Sequence, residues 1–300
     1  MPNNPITDTF VWRDWFYKVS QILVQQASIA WSSIDFTGSN LRDIQVRQHN
    51  SLQNMDGGGT YHLSASQYAS LSVLPSLPYK YGAFHFDFST TLNGALSSGA
   101  TTINVVSTSG FSSSGAILVE SEVITYTGTT STSFTGCTRG AYGSTSASHA
   151  SGAYVNGAQG TAANTATLLQ LNTTDLSNGV TLNTANSEVT VSADGIYNLQ
   201  FSVQTFNFDN SPDNFTIWFR KNGIDVPASA SIQTTPAIHA GIQGSAIVTV
   251  NLFLTLAAGD YVQLYWTTDG GKTVVVTANP GTSPTHPASP AVIFTVNQLA

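Results

Sequence analysis

The most regular hydrophobic pattern in the chain follows the dipeptide Asp194-Gly195. Apolar side chains recur there at every second position and polar residues lie between them, the apolar set being Tyr197, Leu199, Phe201 and Val203. Successive side chains of an extended chain point to opposite faces, so this alternation predicts a strand with one buried face. The Asp-Gly pair predicts a turn just before it, because Gly adopts positive φ without strain. We therefore predict a half-buried antiparallel strand.

Similar short apolar runs continue to the C-terminus, separated by turns such as Asn222-Gly223 and Gly259-Asp260. They predict strands at residues 168–171, 180–182, 188–191, 215–221, 246–256, 261–266, 273–277 and 291–297. A succession of short strands of this kind is typical of an antiparallel β-sandwich or jelly roll. The proline-containing segment 279–290 is instead predicted to be a long exposed loop that does not pair as a strand, and it is a candidate recognition surface.

The N-terminal region carries a different period. Residues 8–30 place apolar side chains three and four positions apart, without Pro or Gly, and Asp8 is a candidate N-cap. The pattern predicts a helix with an aromatic-rich stripe formed by Val11, Trp12, Trp15, Phe16, Val19, Ile22 and Leu23. A helix of this length is not stable alone in water. Its apolar stripe must therefore pack on the chain's own core, on other copies or on a partner. All three alternatives stay open.

Residues 92–156 are predicted to form a small all-β module, with strands at 102–106, 116–120, 123–127 and 133–135. Residues 79–88 predict a connecting strand, and the small polar residues of 157–167 predict a linker. The expected fold class is mainly β, with an N-terminal helix, the small module and a C-terminal antiparallel sandwich. The expected organisation is 1–91 for the helix and attachment region, 92–156 for the module, 157–167 for the linker and 168–300 for the sandwich.

The predicted strands 246–256 and 261–266, expected to form a hairpin, are apolar on both faces. A sheet face that should contact water but is apolar is usually covered by something else. A loop of the same chain or a further copy of the protein would cover it. In the second case, Phe253, Tyr261 and Tyr265 are the candidate residues of a trimer interface.

Charge is scarce along the chain. Nine basic and 16 acidic residues among 300 give a net charge of −7. No cationic stripe is available for phosphates, so no nucleic-acid partner is expected. No run approaches the roughly 20 apolar residues of a membrane span, and charged residues interrupt the N-terminus where a cleavable leader would be apolar. Together with the hydroxyl- and amide-rich composition, this suggests an extracellular type of surface on a protein released by cell lysis.

Several residues are candidates for chemistry, each with a structural alternative. His49 and His62 could ligate a metal on a threefold axis, but no Cys or carboxylate lies at ligand spacing, so hydrogen-bonded structural histidines are the favoured interpretation. Glu120 and Glu122, expected on one side of a strand, could form a catalytic pair, and the alternative favoured by the sequence is an ion pair between Glu122 and Arg139. No cofactor is expected.

Two further candidates are weighed in the same way. The oxygen-rich loop 209–214 suits either calcium or an ordinary Asx turn, of which the turn is the favoured interpretation. Cys137 is the only cysteine, so no intrachain disulfide is possible. A buried, inert thiol is the favoured interpretation for it.

Two resemblances bear on function. The segment His49-Asn50-Ser51-Leu52, followed by Gly57-Gly58 and Tyr61-His62-Leu63, resembles a short segment recurrent in bacteriophage tail-fibre and other virion appendage proteins. In that family the segment lies near the trunk or attachment end. The region 92–156, with the motifs Gly110-Phe111, Glu122-Val-Ile-Thr-Tyr126 and Thr138-Arg139-Gly140, likewise resembles a small β module inserted into many phage structural proteins.

The C-terminal half resembles the jelly roll of complement-type globular heads and tumour-necrosis-factor ligands. The resemblance rests on the ordered motifs Asp194-Gly-Ile-Tyr197, Lys221-Asn-Gly223 and Gly259-Asp-Tyr-Val262, with a closing strand at Phe294. Members of this family are typically homotrimers, so the resemblance implies a trimer.

The resulting functional hypothesis is a non-enzymatic virion component. We expect a homotrimeric tail fibre or spike in which Trp12, Trp15, Phe16, Val19, Ile22 and Leu23 serve virion docking or oligomerisation. Its partners would be further copies of itself, other virion proteins and a host surface glycan or protein. The alternatives are a trimeric capsid decoration or head-fibre protein, a polysaccharide depolymerase and a secreted adhesin.

Overall fold

The computed structural model describes residues 9–26, 64–73 and 79–300. The chain divides into two compact units, Met1–Leu77 and Pro78–Ala300. The described part is mainly β, with antiparallel sheets and an N-terminal helix, and is consistent with a β-sandwich. The predicted fold class is therefore confirmed.

The first unit contains two described helices, α1 (Thr9–Gln26) and α2 (Ala65–Val73). Helix α1 confirms, over Thr9–Gln26, the helix predicted from the three- and four-residue spacing; Asp8, the candidate N-cap, and residues 27–30 lie outside the described residues. Its aromatic side chains contact one another edge to face, with 5.7 Å between the Trp12 and Trp15 ring centroids. Helix α2 begins with a capping box, in which the backbone N–H of Gln67 donates to Ser64 Oγ and the Ser64 N–H donates to Gln67 Oε1.

The second unit begins with eight strands and one short 3₁₀ turn, η1 (Ala141–Gly143). The strands are β1 (Tyr81–Phe86), β2 (Ser89–Thr91), β3 (Ile103–Asn104), β4 (Gly115–Val119), β5 (Glu122–Tyr126), β6 (Gly128–Thr130), β7 (Ser133–Thr135) and β8 (Tyr154–Gln159).

The remaining strands continue to the C-terminus. They are β9 (Thr167–Leu168), β10 (Thr173–Asn178), β11 (Val180–Asn183), β12 (Glu188–Val191), β13 (Gly195–Asn207), β14 (Asp213–Lys221), β15 (Ile224–Asp225), β16 (Ser231–Thr235), β17 (Gly244–Leu256), β18 (Tyr261–Thr268), β19 (Thr273–Val276), β20 (Gly281–Thr282), β21 (Thr285–His286) and β22 (Val292–Gln298). A strand is present at each of the places predicted from the sequence after residue 165.

Two large sheets form the sandwich. The large sheet has ten strands in the order β10-β1-β22-β13-β19-β8-β4-β5, with β17 on β13 and β2 on β8. The smaller sheet has seven, in the order β11-β12-β18-β14-β15, with β16 on β14 and β9 on β18. Side chains from both sheets share one core, in which Phe201 and Phe294 of the large sheet pack on Phe219 of the smaller one.

Strand β13 is the centre of the large sheet. Its predicted apolar face is confirmed, since Tyr197, Leu199, Phe201 and Val203 are all buried. The strand pairs with β17 along its whole length on one side, and with β22 and β19 on the other. At its start, a Cβ on Gly195 would lie 2.3 Å from the carbonyl oxygen of Ala300, so only Gly fits there.

The module belongs to the same sheet as the sandwich. Its strands β4 and β5 reach the large sheet through β8, which also pairs with β19. Both faces of β4 are covered, because Ile117 and Val119 lie in the module core and Leu118 packs with Val274 and Val276 of the sandwich. The boundaries predicted at residues 92, 157 and 168 therefore fall within one compact unit.

The segment 157–167, predicted to be a linker, begins inside a strand. Residues 157–159 are the buried end of strand β8. A Cβ on Gly157 would lie 3.0 Å from the Phe86 ring, and the ring of Tyr142 lies directly over Gly160. The small residues that predicted flexibility are small because other groups pack closely against their backbone.

Strands β17 and β18 do not form the expected hairpin. They belong to different sheets, β17 on β13 and β18 beside β14 and β12. The corner between them is held by Asp260, which pairs with Lys221 Nζ at 2.7 Å and accepts hydrogen bonds from the Ala257 N–H and from Asn222 Nδ2. The Lys221 ammonium and these donors lower the pKa of Asp260 to about 2.

The proline-containing segment 279–290 also departs from the prediction. It is exposed, as expected, but it contains a two-stranded hairpin in which Gly281 pairs with His286 and Thr282 with Thr285. The turn between these strands holds a cis peptide bond at Ser283-Pro284. Its prolines lie outside the paired positions, so the ladder loses no N–H donor.

We predict that the module and the sandwich unfold in one transition, because they share a sheet. Phe134→Ala in the module core and Phe201→Ala in the sandwich core should each lower the free energy of unfolding by about 3–5 kcal/mol and move the same transition. Denaturant unfolding followed by circular dichroism and by amide hydrogen exchange of β5 and β14 checks this.

Val106→Ala, at a module residue that is 63% exposed, is the matched surface control. It should change stability by less than about 0.5 kcal/mol. A separate early transition, moved by the Phe134 variant alone, would contradict the prediction.

Candidate functional site

The module contains a buried carboxylate, Glu122, at the start of β5. Strands β4 and β5 are joined by the two-residue turn Glu120-Ser121, and Val119 pairs with Glu122 across it. Glu120 and Glu122 were expected on one side of a single strand. The structure places Glu120 in the turn instead, at a positive φ of 52°, and leaves the Glu122 side chain fully buried.

Every hydrogen bond to the Glu122 carboxylate comes from the segment 139–149. Arg139 donates through Nε to Oε1 at 2.7 Å and through Nη2 to Oε2 at 2.6 Å, a bidentate pair. The backbone N–H groups of Gly140 and Ala147 donate at 3.0 and 3.1 Å. His149 Nε2 lies 2.7 Å from Oε2. The predicted ion pair between Glu122 and Arg139 is confirmed.

The imidazole of His149 lies between two carboxylates. Its Nδ1 is 2.7 Å from Glu120 Oε2, while its Nε2 contacts Glu122. The ring therefore links the carboxylate of the turn to the buried carboxylate of β5. Arg139 also donates to the backbone carbonyls of Ser97 and Ala147. Two acids and two bases thus form a closed polar network.

Burial would by itself raise the pKa of Glu122. Hydrogen bonds from Arg139, His149, Ala147 and Gly140 outweigh burial and hold that pKa below its usual value. All of its acceptor positions are used within the chain, so this carboxylate acts as a clamp on the segment 139–149. We call Glu122, Arg139, His149 and Glu120 the Glu122 clamp.

A second feature is the outer face of the large sheet. Strands β13, β17 and β22 contain no Asp, Glu, Lys, Arg or His. Aliphatic and aromatic residues on their outer side are nonetheless exposed, namely Ile196 (45%), Ile247 (64%), Phe253 (61%) and Ile293 (41%). Amides and hydroxyls lie between them, with Asn198 opposite Phe253 and Gln204 opposite Ile247. We call this the uncharged face.

Strand β17 is the edge of this face. Within the described residues it pairs only with β13, along 13 residues. Edge strands of soluble proteins are usually short or protected by charged residues or Pro, because an open edge pairs readily with another chain. None of these protections is present on β17, so the uncharged face and its edge are suited to contact with another protein surface.

The three candidate interface residues do not share one surface. Phe253 lies on the uncharged face, whereas Tyr261 and Tyr265 lie on β18 of the smaller sheet. Tyr265 is already covered by its own chain, since the Arg220 guanidinium lies 3.7 Å from its ring centroid and Trp218 is next to it. These residues lie apart because the chain passes from the large sheet to the smaller sheet between β17 and β18.

The helix candidates are partly exposed. Phe16, Ile22 and Leu23 of α1 are between 56% and 60% exposed, while Trp12, Trp15 and Val19 are half-buried. His49 and His62 lie outside the described residues. Among the residues that are described, no group of three or more His, Cys, Asp or Glu is arranged to hold a metal.

The loop 209–214 is built from Asx turns. Asp209 Oδ1 accepts from the Ser211 N–H at 3.0 Å, and Asn207 Oδ1 accepts from the Asp209 N–H at 2.9 Å. Asp213 is buried and accepts the N–H groups of residues 270, 272 and 273. Burial opposes ionisation of Asp213, but these N–H groups outweigh it and lower its pKa. The carboxylates of Asp209 and Asp213 therefore accept hydrogen bonds from backbone N–H groups of the same chain.

Cys137 is buried in the module core, as expected. Burial raises the pKa of its thiol, which disfavours the reactive thiolate.

Comparison with known proteins gives no assignment. No family model matches the chain, and no curated protein matches it. In the described part of the chain, neither helix combines the length and the apolar character needed to cross a membrane.

We predict that the Glu122 clamp makes stability depend on acid pH. The folded-state pKa of Glu122 is lowered below the ordinary value of 4.5. Its stabilisation is therefore complete above about pH 4.5 and is lost as the pH falls through the folded pKa. Glu122→Gln should remove part of this loss, measured as thermal stability between pH 7 and 3. Glu188→Gln, a partly exposed acid in β12, is the control and should keep the wild-type pH profile.

We predict that Arg139→Met destabilises the protein by about 3–5 kcal/mol, because it leaves the buried Glu122 without its main partner. The double variant Arg139→Met with Glu122→Gln should recover part of that loss, since the uncompensated charge is gone. Denaturant unfolding of the single and double variants measures both. Strictly additive losses would show that the two side chains are not coupled.

Proposed function

We propose that this chain is a non-enzymatic structural component of a bacteriophage particle, a homotrimeric tail fibre or spike. Its N-terminal region would attach to other virion proteins, and its sandwich would contact the host surface. The observation that carries the proposal is the uncharged face, which exposes Ile247 and Phe253 beside an open edge strand. The tail-fibre and jelly-roll resemblances of the sequence supply the class of particle and the number of copies.

The physical argument for self-association starts from the absence of charge. A face without ionic groups places no like charges opposite one another when two copies meet, and no charged group on it has to be desolvated. The Gln204 amide already donates to Ser289 and Pro290 of its own chain. Asn, Gln, Ser and Thr side chains both donate and accept hydrogen bonds, so the others on this face can pair with the same residue types in a neighbour. Its exposed Ile and Phe side chains supply apolar area to be buried. These properties support contact with identical copies.

The N-terminal helix supports the attachment role. Exposed apolar residues on α1, including Tyr17 (63%) and Val24 (67%), extend beyond the stripe expected from the sequence. A helix that is apolar over much of its circumference is stable in water only when packed against other surfaces. Copies of the same helix or other virion proteins would supply them.

The Glu122 clamp supports a non-enzymatic role for the acidic pair considered from the sequence. Catalytic carboxylates need access to a substrate and a free acceptor position. Glu122 is fully buried, and both of its oxygens are occupied by donors of the chain. We therefore assign this pair to structure.

We predict that Phe253→Glu dissociates the trimer. A carboxylate without a partner in a buried interface should cost about 2–4 kcal/mol per contact and weaken association by roughly 100-fold. Native mass spectrometry and analytical ultracentrifugation of the full chain measure the effect.

Ile232→Glu is the matched control, because Ile232 is 72% exposed but lies on β16 of the smaller sheet. This variant should remain trimeric. A wild-type chain that is monomeric at micromolar concentration would overturn the proposal. For a chain that is trimeric, labelling on intact particles would distinguish a location on the tail from one on the capsid shell.

A further inference from the structure

A cleft lies where the module meets the sandwich, with a volume of about 170 Å³. Its lining comes from the start of β4, from η1, from the end of β8 and from the segment 167–170. A smaller hollow of about 20 Å³ shares several of these residues and adds the rings of Phe88 and Phe111. We call the first of these the Tyr142 cleft.

Tyr142 is held in the cleft in a strained conformation. Its φ of 53° and ψ of 36° are left-handed, which is unusual for a bulky residue and costs on the order of 1–3 kcal/mol. Its ring lies directly over Gly160, where a Cβ would come within 2.1 Å of the ring. The Glu122 clamp holds the segment on both sides of Tyr142, through Gly140 and Ala147. Strain maintained in this way often marks a functional position.

Three polar side chains in the cleft are not used by the fold. Tyr142 is half-buried, whereas Ser114 and Gln170 are exposed, and within the described part of the chain no hydrogen bond is formed by the hydroxyls of Tyr142 and Ser114 or by the Gln170 carboxamide. The neighbouring Gln159 differs, because its carboxamide is occupied by the backbone of Gln170, at 3.0 and 2.7 Å. The Gln170 backbone is therefore fixed while its side chain remains available. Burial raises the pKa of Tyr142, which keeps its phenol protonated.

The chemistry of the lining selects one class of ligand. None of the residues that line the cleft or the hollow is charged, so neither an anion nor a cation would find a counter-charge. The free groups are hydroxyls and an amide, which both donate and accept. Ligand hydroxyl groups have the same property. The side chains of Ala116, Ala158 and Leu168 supply an apolar wall for the C–H groups of a ring.

We propose that the Tyr142 cleft binds one neutral sugar unit of a surface glycan. The small volume suits a single ring, since pockets for drug-sized ligands are about 300–1,000 Å³. The biological role of this site rests on the proposed function, in which the trimer contacts a host surface and three weak sites gain strength together. Binding of the sugar itself does not depend on the number of copies.

The test is saturation-transfer NMR on the full chain with the methyl glycosides of glucose, galactose, mannose and N-acetylglucosamine. At least one should bind. Its Kd should weaken about 2- to 10-fold in Tyr142→Phe and in Gln170→Ala, because each removes one neutral hydrogen bond. N-acetylneuraminic acid, which is anionic, should not bind.

Matched controls are Tyr154→Phe and Gln233→Ala, which remove the same groups from other positions, outside the cleft; Gln233 is exposed like Gln170. Both should bind like wild type. The proposal is overturned if no neutral glycoside binds at about 10 mM, ten times a millimolar Kd, or if neither cleft variant weakens binding. Preference for the anionic sugar would also overturn it. A monomer that binds sugar would refute the proposed trimer alone, and a trimer that binds none would refute the cleft alone.

Discussion

The structure of the module depends on the burial of one charged carboxylate. A buried charge costs several kcal/mol unless it is paired and hydrogen-bonded. Glu122 meets that condition only when Arg139, Gly140, Ala147 and His149 are all in place. The segment 139–149 is therefore confined to a conformation that brings all of these donors to one point. The strained backbone at Tyr142 is a consequence, because a free loop would relax it.

Charged residues are scarce along the chain, and this affects its surface as well. Because the chain has few ionic groups, the side chains that it exposes on the large sheet are amides, hydroxyls and aliphatic groups. An open edge strand on such a face favours contact with another protein. The proposed trimer and the proposed sugar site use different parts of the same sheet, since the Tyr142 cleft lies towards β4 and β8 and the uncharged face lies on β13, β17 and β22.

Much of the strand content followed from local pattern. Alternation located β13, because burial of one face gives a period of two, and short apolar runs located β14, β17, β18, β19 and β22. Strands β10 and β16 escaped prediction. Their sequences, Thr173–Asn178 and Ser231–Thr235, are mostly polar, and each pairs with only one neighbour among the described strands. Without a buried face, an edge strand leaves no periodic signal.

What the sequence determined by itself was the fold class, the helix, the central strand and the ion pair between Glu122 and Arg139. Each depends on residues whose period or charge limits the alternatives. Only the tertiary structure decided that residues 157–159 complete a shared sheet, that β17 and β18 lie in different sheets, and that Tyr142, Ser114 and Gln170 meet in one cleft. These outcomes depend on which distant segments pack together, and that choice is made by the whole core rather than by any local pattern.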